Sequence, residues 1–213
     1  MLVKNTFFAL VVSSFSVSAS VDKTDWTPTP QQFKYCTVCH GNQLMGNPNI
    51  GAPRLSGLSA WYIEKQLQAF KQGKRGMPDQ SVPAHEMQSM VKELSDEQIH
   101  QAAIWASKTQ SPVPSETIVA DAKAGESLYK QCAACHGADG KGNQTIGAPA
   151  LAGLHDWYLL NQFDAFKSGS RGNVQGDSQA QQMQAAANLV NSEQDLKAIV
   201  AYIQQLEKHE EHN

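Results

Sequence analysis

The chain has 213 residues and a formal net charge of −3, from 17 Lys and Arg against 20 Asp and Glu. That balance gives no sign of the basic surface on which nucleic-acid binding depends, and no nucleic-acid partner is expected. The one long apolar stretch stands at the N-terminus, and nothing after it is built to span a bilayer.

The opening "MLVKNTFFALVVSSFSVSAS" has Lys4, an apolar run from Phe7 to Val17 and small residues ending near Ala19. This is the three-part layout of a secretory signal, and it is too short for a membrane span. Residues 1–19 are therefore expected to be a signal peptide, with a soluble mature chain that starts near Ser20 outside the cytoplasm.

The next element is "CTVCHG", Cys36 to Gly41, which returns as "CAACHG" at Cys132 to Gly137; these two phrases hold all four cysteines. An oxidising compartment ordinarily favours disulfides, but cysteines three apart on a helical turn are poorly placed to bridge each other. C-x-x-C-H is the attachment signature of c-type haem: the two thiols add to the haem vinyl groups and the adjacent histidine faces the iron. Zinc competes for such a cluster, yet it needs four ligands, and Cys39 and Cys132 are 93 residues apart with no nearby fourth ligand for either pair. The expected covalent haem sites are thus Cys36, Cys39, Cys132 and Cys135, with His40 and His136 as axial ligands.

A shift of 96 residues carries one motif onto the other and also carries "IGAPRLSGLSAWYIEKQLQAFKQGKRG" onto "IGAPALAGLHDWYLLNQFDAFKSGSRG". The chain is a tandem duplication, with a period too long for a solenoid. In unit one, Gly and Pro punctuation after the histidine predicts loop, followed by helices over Leu58 to Gly73 and Ser95 to Ser107. "KTQSPVPSETIV", Lys108 to Val119, reads as an extended linker. In unit two, helices are expected over Ala120 to His136, Leu154 to Gly169, and the closing stretch from Asn191, where Leu196, Ile199, Val200 and Ile203 share one face. No run keeps a strand period, so the expectation is two small all-α domains, residues 20–107 and 120–213, joined by 108–119. Each is close to 90 residues, with a thin core that a fixed haem would fill.

Each haem needs a second axial ligand. Unit two has a single methionine, Met183, and the same shift pairs it with Met87 while leaving Met45, Met77 and Met90 unmatched. Both follow their histidine by 47 residues. A thioether suits low-spin haem iron and raises its potential. Met87 and Met183 are the expected sulfur ligands. His85 is an alternative in unit one, although its counterpart Gln181 cannot ligate. Iron held by histidine and methionine has no open position, which restricts it to one-electron exchange. Trp61, Tyr62 and Arg75 recur as Trp157, Tyr158 and Arg171, and both propionate contacts and simple packing account for them. The closing "EKHEEHN" reads as a frayed polar helix end rather than a metal site.

The signal, the duplicated C-x-x-C-H-G, "GAPxLxGL", "WYxxxQ", "FKxGxRG", the late methionine and the closing helix together resemble the dihaem class I cytochromes c of the cytochrome c4 kind. The resemblance implies two tandem class I domains, each wrapped around a covalent haem c. It implies that the Pro53 and Pro149 carbonyls fix the rings of His40 and His136, and that Gly125 packs against Tyr202. Unit one departs from the pattern, with Thr29 in place of Gly125 and "TPTP" where a first helix would begin. The function implied is a periplasmic one-electron carrier, not an enzyme, between respiratory donors and a membrane-bound oxidase or reductase. The alternatives are a cytochrome subunit of a periplasmic dehydrogenase and a dihaem peroxidase. Residues 20–110 hold 9 Lys and Arg against 8 Asp and Glu, and residues 111–213 hold 7 against 12. Either that asymmetry is incidental, or it makes unit one the better dock for an acidic redox partner.

Overall fold

The computed structural model describes residues 28–208, so the expected signal peptide and the last five residues of the C-terminal tail lie outside the described residues. What it describes is helical, with no strand; two isolated bridges, Asn47 to Ala52 and Asn143 to Ala148, pin the loops that follow the C-x-x-C-H motifs. The helices are α1 (Lys34–His40), α2 (Ala60–Lys71), α3 (Val82–Val91), α4 (Asp96–Lys108), α5 (Ala122–His136), α6 (Asp156–Lys167), α7 (Ser178–Ala187) and α8 (Glu193–Lys208). Apolar periodicity marks neither α3 nor α7, the two helices that carry the candidate methionines. Among the described residues no helix is long and apolar enough to cross a membrane.

Unit two has the fuller scaffold. Asp121 accepts the Ala124 amide at 3.0 Å and so caps α5, which ends at Gly137 with φ 81°. α5 crosses α8, whose Leu196, Ile199, Val200 and Ile203 are buried as the periodicity requires. The crossing is possible because Gly125 has no side chain: a Cβ there would stand 1.9 Å from the Ala198 carbonyl oxygen. It would also meet Tyr202 Cβ at 3.0 Å, the neighbour that the family pattern implied. Tyr129 and Tyr202 close the same contact, with ring centroids 5.4 Å apart.

Unit one solves this crossing differently. Pro28 and Pro30 leave no helix at Thr29; a 3-10 turn, Gln31–Phe33, leads into a seven-residue α1. Phe33, which occupies the register of Tyr129, is 4% exposed and stacks on Trp105 with centroids 5.2 Å apart. The loss of a glycine crossing is thus met by a large aromatic pair, Phe33 at the start of α1 and Trp105 on α4. α4 itself is held by a reciprocal cap, Gln98 N to Ser95 Oγ at 3.1 Å and Ser95 N to Gln98 Oε1 at 2.8 Å. Leu44 is fully buried at φ 55° where unit two has Gly140, a strained backbone that is tolerated because its side chain fills core space.

The stretch between α4 and α5 has no regular structure, yet it is tied down at both ends. Arg54 Nε and Nη2 donate to Ser111 Oγ and O at 3.0 and 2.9 Å, while Nη1 reaches Gly153 O in unit two at 2.7 Å. Further along, Asp156 is 1% exposed and accepts from Thr117 N, Thr117 Oγ1 and Ile118 N at 2.5, 2.9 and 2.8 Å. Burial alone would raise its pKa; those donors, with the Trp157 amide, outweigh burial and hold it below the ordinary value. One continuous apolar cluster, from Leu44 and Leu58 to Val190 and Ile203, runs through both units.

Candidate haem sites

His40 and His136 end α1 and α5 and are each 7% exposed. In both, Nδ1 lies 2.8 Å from a proline carbonyl, Pro53 O and Pro149 O respectively. A carbonyl accepts only, so Nδ1 carries the proton and Nε2 keeps its lone pair, which is the tautomer that an iron ligand requires. Burial, opposed by that hydrogen bond, lowers the pKa of both rings and favours the neutral form.

Two glycines bring the prolines this close. Gly46 N and Gly142 N bond the carbonyls of His40 and His136 at 2.8 Å. A Cβ on Gly142 would lie 2.5 Å from Ala148 O and Pro149 C; one on Gly46 would lie 2.7 Å from Arg54 N. Sequence reasoning did not single out this pair, although the 96-residue shift matches them.

No disulfide joins the four cysteines; Cys36 and Cys132 are half-buried and Cys39 and Cys135 exposed. Burial pushes the Cys36 thiol up to about 11 and raises Cys132 as well. A redox-active dithiol needs the opposite shift.

In unit two the cysteines and histidine face a large cavity of about 1760 Å³, its open mouth included. Cys132, Cys135 and His136 line it, Met183 lines it from α7, and between them are apolar walls such as Leu159, Phe163 and Ile199. Two thiols, an imidazole and a thioether around a slot with greasy walls suit a haem joined through its vinyl groups. Met87 occupies the matching position on α3 and is half-buried like Met183; α3 packs on α2 as α7 packs on α6. His85 is exposed, with Nδ1 2.9 Å from Gly76 O. Met45, Met77 and Met90 are 43%, 39% and 49% exposed.

The recurring Arg, Tyr and Gln side chains meet across the two units, an arrangement that the sequence did not disclose. Arg75 donates to Gln66 Oε1 at 2.8 Å within its own unit, and to Tyr158 Oη and Gln162 Oε1 of the other at 3.2 and 2.8 Å. Arg171 reciprocates, to Gln162 at 2.6 Å and to Tyr62 and Gln66 at 3.2 and 2.8 Å. The pattern is a local twofold. Each guanidinium also lies over a phenylalanine of its own unit, Phe70 at 4.5 Å and Phe166 at 4.4 Å. These hydrogen-bond partners are neutral, and both guanidiniums line the haem cavity. Burial alone would raise the Tyr158 pKa, but the two arginine charges pull it down. A pair of sequestered cations satisfied only by neutral oxygens is the environment that haem carboxylates would complete.

The cytochrome c family model matches residues 30–106 and again 122–207, once per unit. The chain is 34% identical over 183 residues to cytochrome c4 of Stutzerimonas stutzeri, covering 80% of this chain and 84% of that one. It is 34% identical over 157 residues to the thiosulfate dehydrogenase electron acceptor of Stutzerimonas stutzeri (strain A1501), covering 67% of each. Among solved structures, the reduced recombinant cytochrome c4 of Pseudomonas stutzeri superposes with a TM-score of 0.65 at 31% identity, covering 81% of this chain and 94% of that one.

Proposed function

Since the chain belongs to the cytochrome c family and carries haem c covalently on both of its C-x-x-C-H motifs, we propose that it is a periplasmic dihaem electron carrier and not an enzyme. Bound haem supplies a reversible one-electron couple. The residues around it do the rest. Cys36 and Cys39, and Cys132 and Cys135, anchor the ring through sulfur. His40 and His136 would hold the iron through Nε2, oriented by the Pro53 and Pro149 carbonyls, with Met87 and Met183 as its sulfur ligands. Apolar walls such as Leu159, Phe163 and Ile199 would keep water away from the bound group. Arg75 and Arg171, at the junction of the units, would hold the haem carboxylates.

One observation carries this reading: Met183 lines the same cavity as Cys132, Cys135 and His136. Met183→His and Met87→His, each in the dihaem holoprotein, should abolish the weak far-red ferric band of sulfur ligation at one haem and lower that haem's potential. An unchanged band and unchanged potentials in both variants would remove the methionines as ligands.

Residues 1–19 then serve as the export signal, and 20–107 and 120–213 as the two haem domains on either side of 108–119. The likeness to a thiosulfate dehydrogenase electron acceptor supports a second reading of the partner: a periplasmic dehydrogenase that hands its electrons directly to this chain. A stoichiometric dehydrogenase retained through purification from the native cell favours that role. Reduction by a free quinol-oxidising complex and reoxidation by a membrane oxidase favour the respiratory one.

A further inference from the structure

The duplication provides an internal control for any side chain that crosses from one unit to the other. Lys65 belongs to α2 of unit one, yet its Nζ donates to Gln179 Oε1 on α7 of unit two. It lines the cavity that holds Cys132, Cys135, His136 and Met183, together with Gln179, Asp177 and Arg171. Gln179 in turn lies against Gly147, where a Cβ would stand 2.1 Å from Gln179 Nε2, so the amide that Lys65 grips belongs to the cavity wall.

The arrangement is not reciprocated. The 96-residue shift puts Asn161 in the register of Lys65 and Pro83 in that of Gln179. Asn161 is exposed and uncharged, and Pro83 offers no amide oxygen. Unit two therefore receives a cation from its neighbour, whereas the equivalent position over unit one is neutral. Lys65 is half-buried, and its pKa is lowered, first by burial and then by the Arg171 charge against the pull of Asp177.

A haem iron carries one more positive charge when oxidised than when reduced, so a nearby fixed cation disfavours the oxidised state. Screening is weak for charges drawn out of water, and the effect reaches across a cavity. We propose that Lys65 is a tuning residue contributed in trans by unit one, which raises the reduction potential of the haem attached to Cys132 and Cys135. The inference rests on the carrier reading above. It makes the unit-two potential depend on the docking of the two units, because Lys65 reaches the site only across their junction.

Potentiometric titration of the purified dihaem holoprotein tests this. Met183→His first marks which of the two potentials belongs to unit two. Lys65→Gln should then lower that potential and leave the other unchanged, reducing the reduced-to-oxidised ratio of that haem on the order of several-fold at a fixed ambient potential. Lys65→Arg should keep the wild-type value, and Asn161→Lys should raise the unit-one potential alone. A Lys65→Gln variant with both potentials unchanged, or with both shifted equally, overturns the proposal. Failure of the carrier reading is read separately, from the haem content by mass and the far-red ferric band of the wild-type protein.

Discussion

Asp156→Ala tests whether the linker is a structural strap. The carboxylate is 1% exposed and is the acceptor for Thr117 N, Thr117 Oγ1 and Ile118 N, at distances of 2.5 to 2.9 Å. Removing it strands these three donors and the Trp157 amide, which it also accepts at 2.7 Å. A buried polar group left unsatisfied costs about 1–3 kcal/mol, but here the linker can swing outward and recover water, which caps the loss. The expected destabilisation is about 3 kcal/mol, read as a lower urea midpoint of the holoprotein by circular dichroism. Cleavage by a broad-specificity protease between Lys108 and Val119 should rise in parallel. The sign of the pH dependence follows from a folded-state pKa held below the ordinary 3.8. A depressed carboxyl contributes stability that is fully present above the unfolded-state value and lost as pH falls through the folded one. The gap between wild type and variant should therefore be constant near neutral pH and close only in acid, below about pH 4. A variant with the wild-type midpoint and no new cleavage, or a gap that closes as pH rises, refutes the reasoning.

Gly125→Ala drives a Cβ into the Ala198 carbonyl of α8 and should cost about 1–3 kcal/mol by overpacking, seen as a lower thermal midpoint. Thr29→Ala, in the matching register of unit one, should leave that midpoint within error. Replacing Arg75 and Arg171 together by Gln removes both halves of the inter-unit network; small-angle scattering should show a larger radius of gyration with both haems still attached. Reversal of charge at Lys34 and Lys92, both in unit one, should slow reduction by an acidic redox partner at low ionic strength and have little effect at high salt. Equal rates at low salt would remove unit one as the charged dock.

What the sequence discloses, and what it hides, divides along the 96-residue repeat. Features that each unit needs for its own haem must occur twice, so the C-x-x-C-H motifs and the Pro53 and Pro149 carbonyls align, and the same alignment makes Met87, rather than three others, the proposed counterpart of Met183. The helices α3 and α7 escape because a methionine among Gln, Ala and Ser makes no strong amphipathic stripe. Phe33 and Trp105 escape because Trp105 stands one residue out of register with Tyr202, although Phe33 aligns with Tyr129, and repeat alignment treats that as loss.

The junction between the units follows a sharper rule. Contacts that straddle the local twofold are made by the same residue from each side, so Arg75 and Arg171 repeat and their recurrence is visible, although its meaning is not until Gln66, Gln162 and the tyrosines are seen to exchange partners. Contacts with the linker cannot repeat, because one connection joins two units and runs over one side only. Arg54 and Asp156, which hold that connection, stand where the other copy has Ala150 and Ala60. Lys65 stands opposite Asn161 for the same reason of broken symmetry. In a duplicated chain, a buried charge without a counterpart therefore marks where the two copies have ceased to be equivalent, and that is where two chemically identical haems acquire different surroundings.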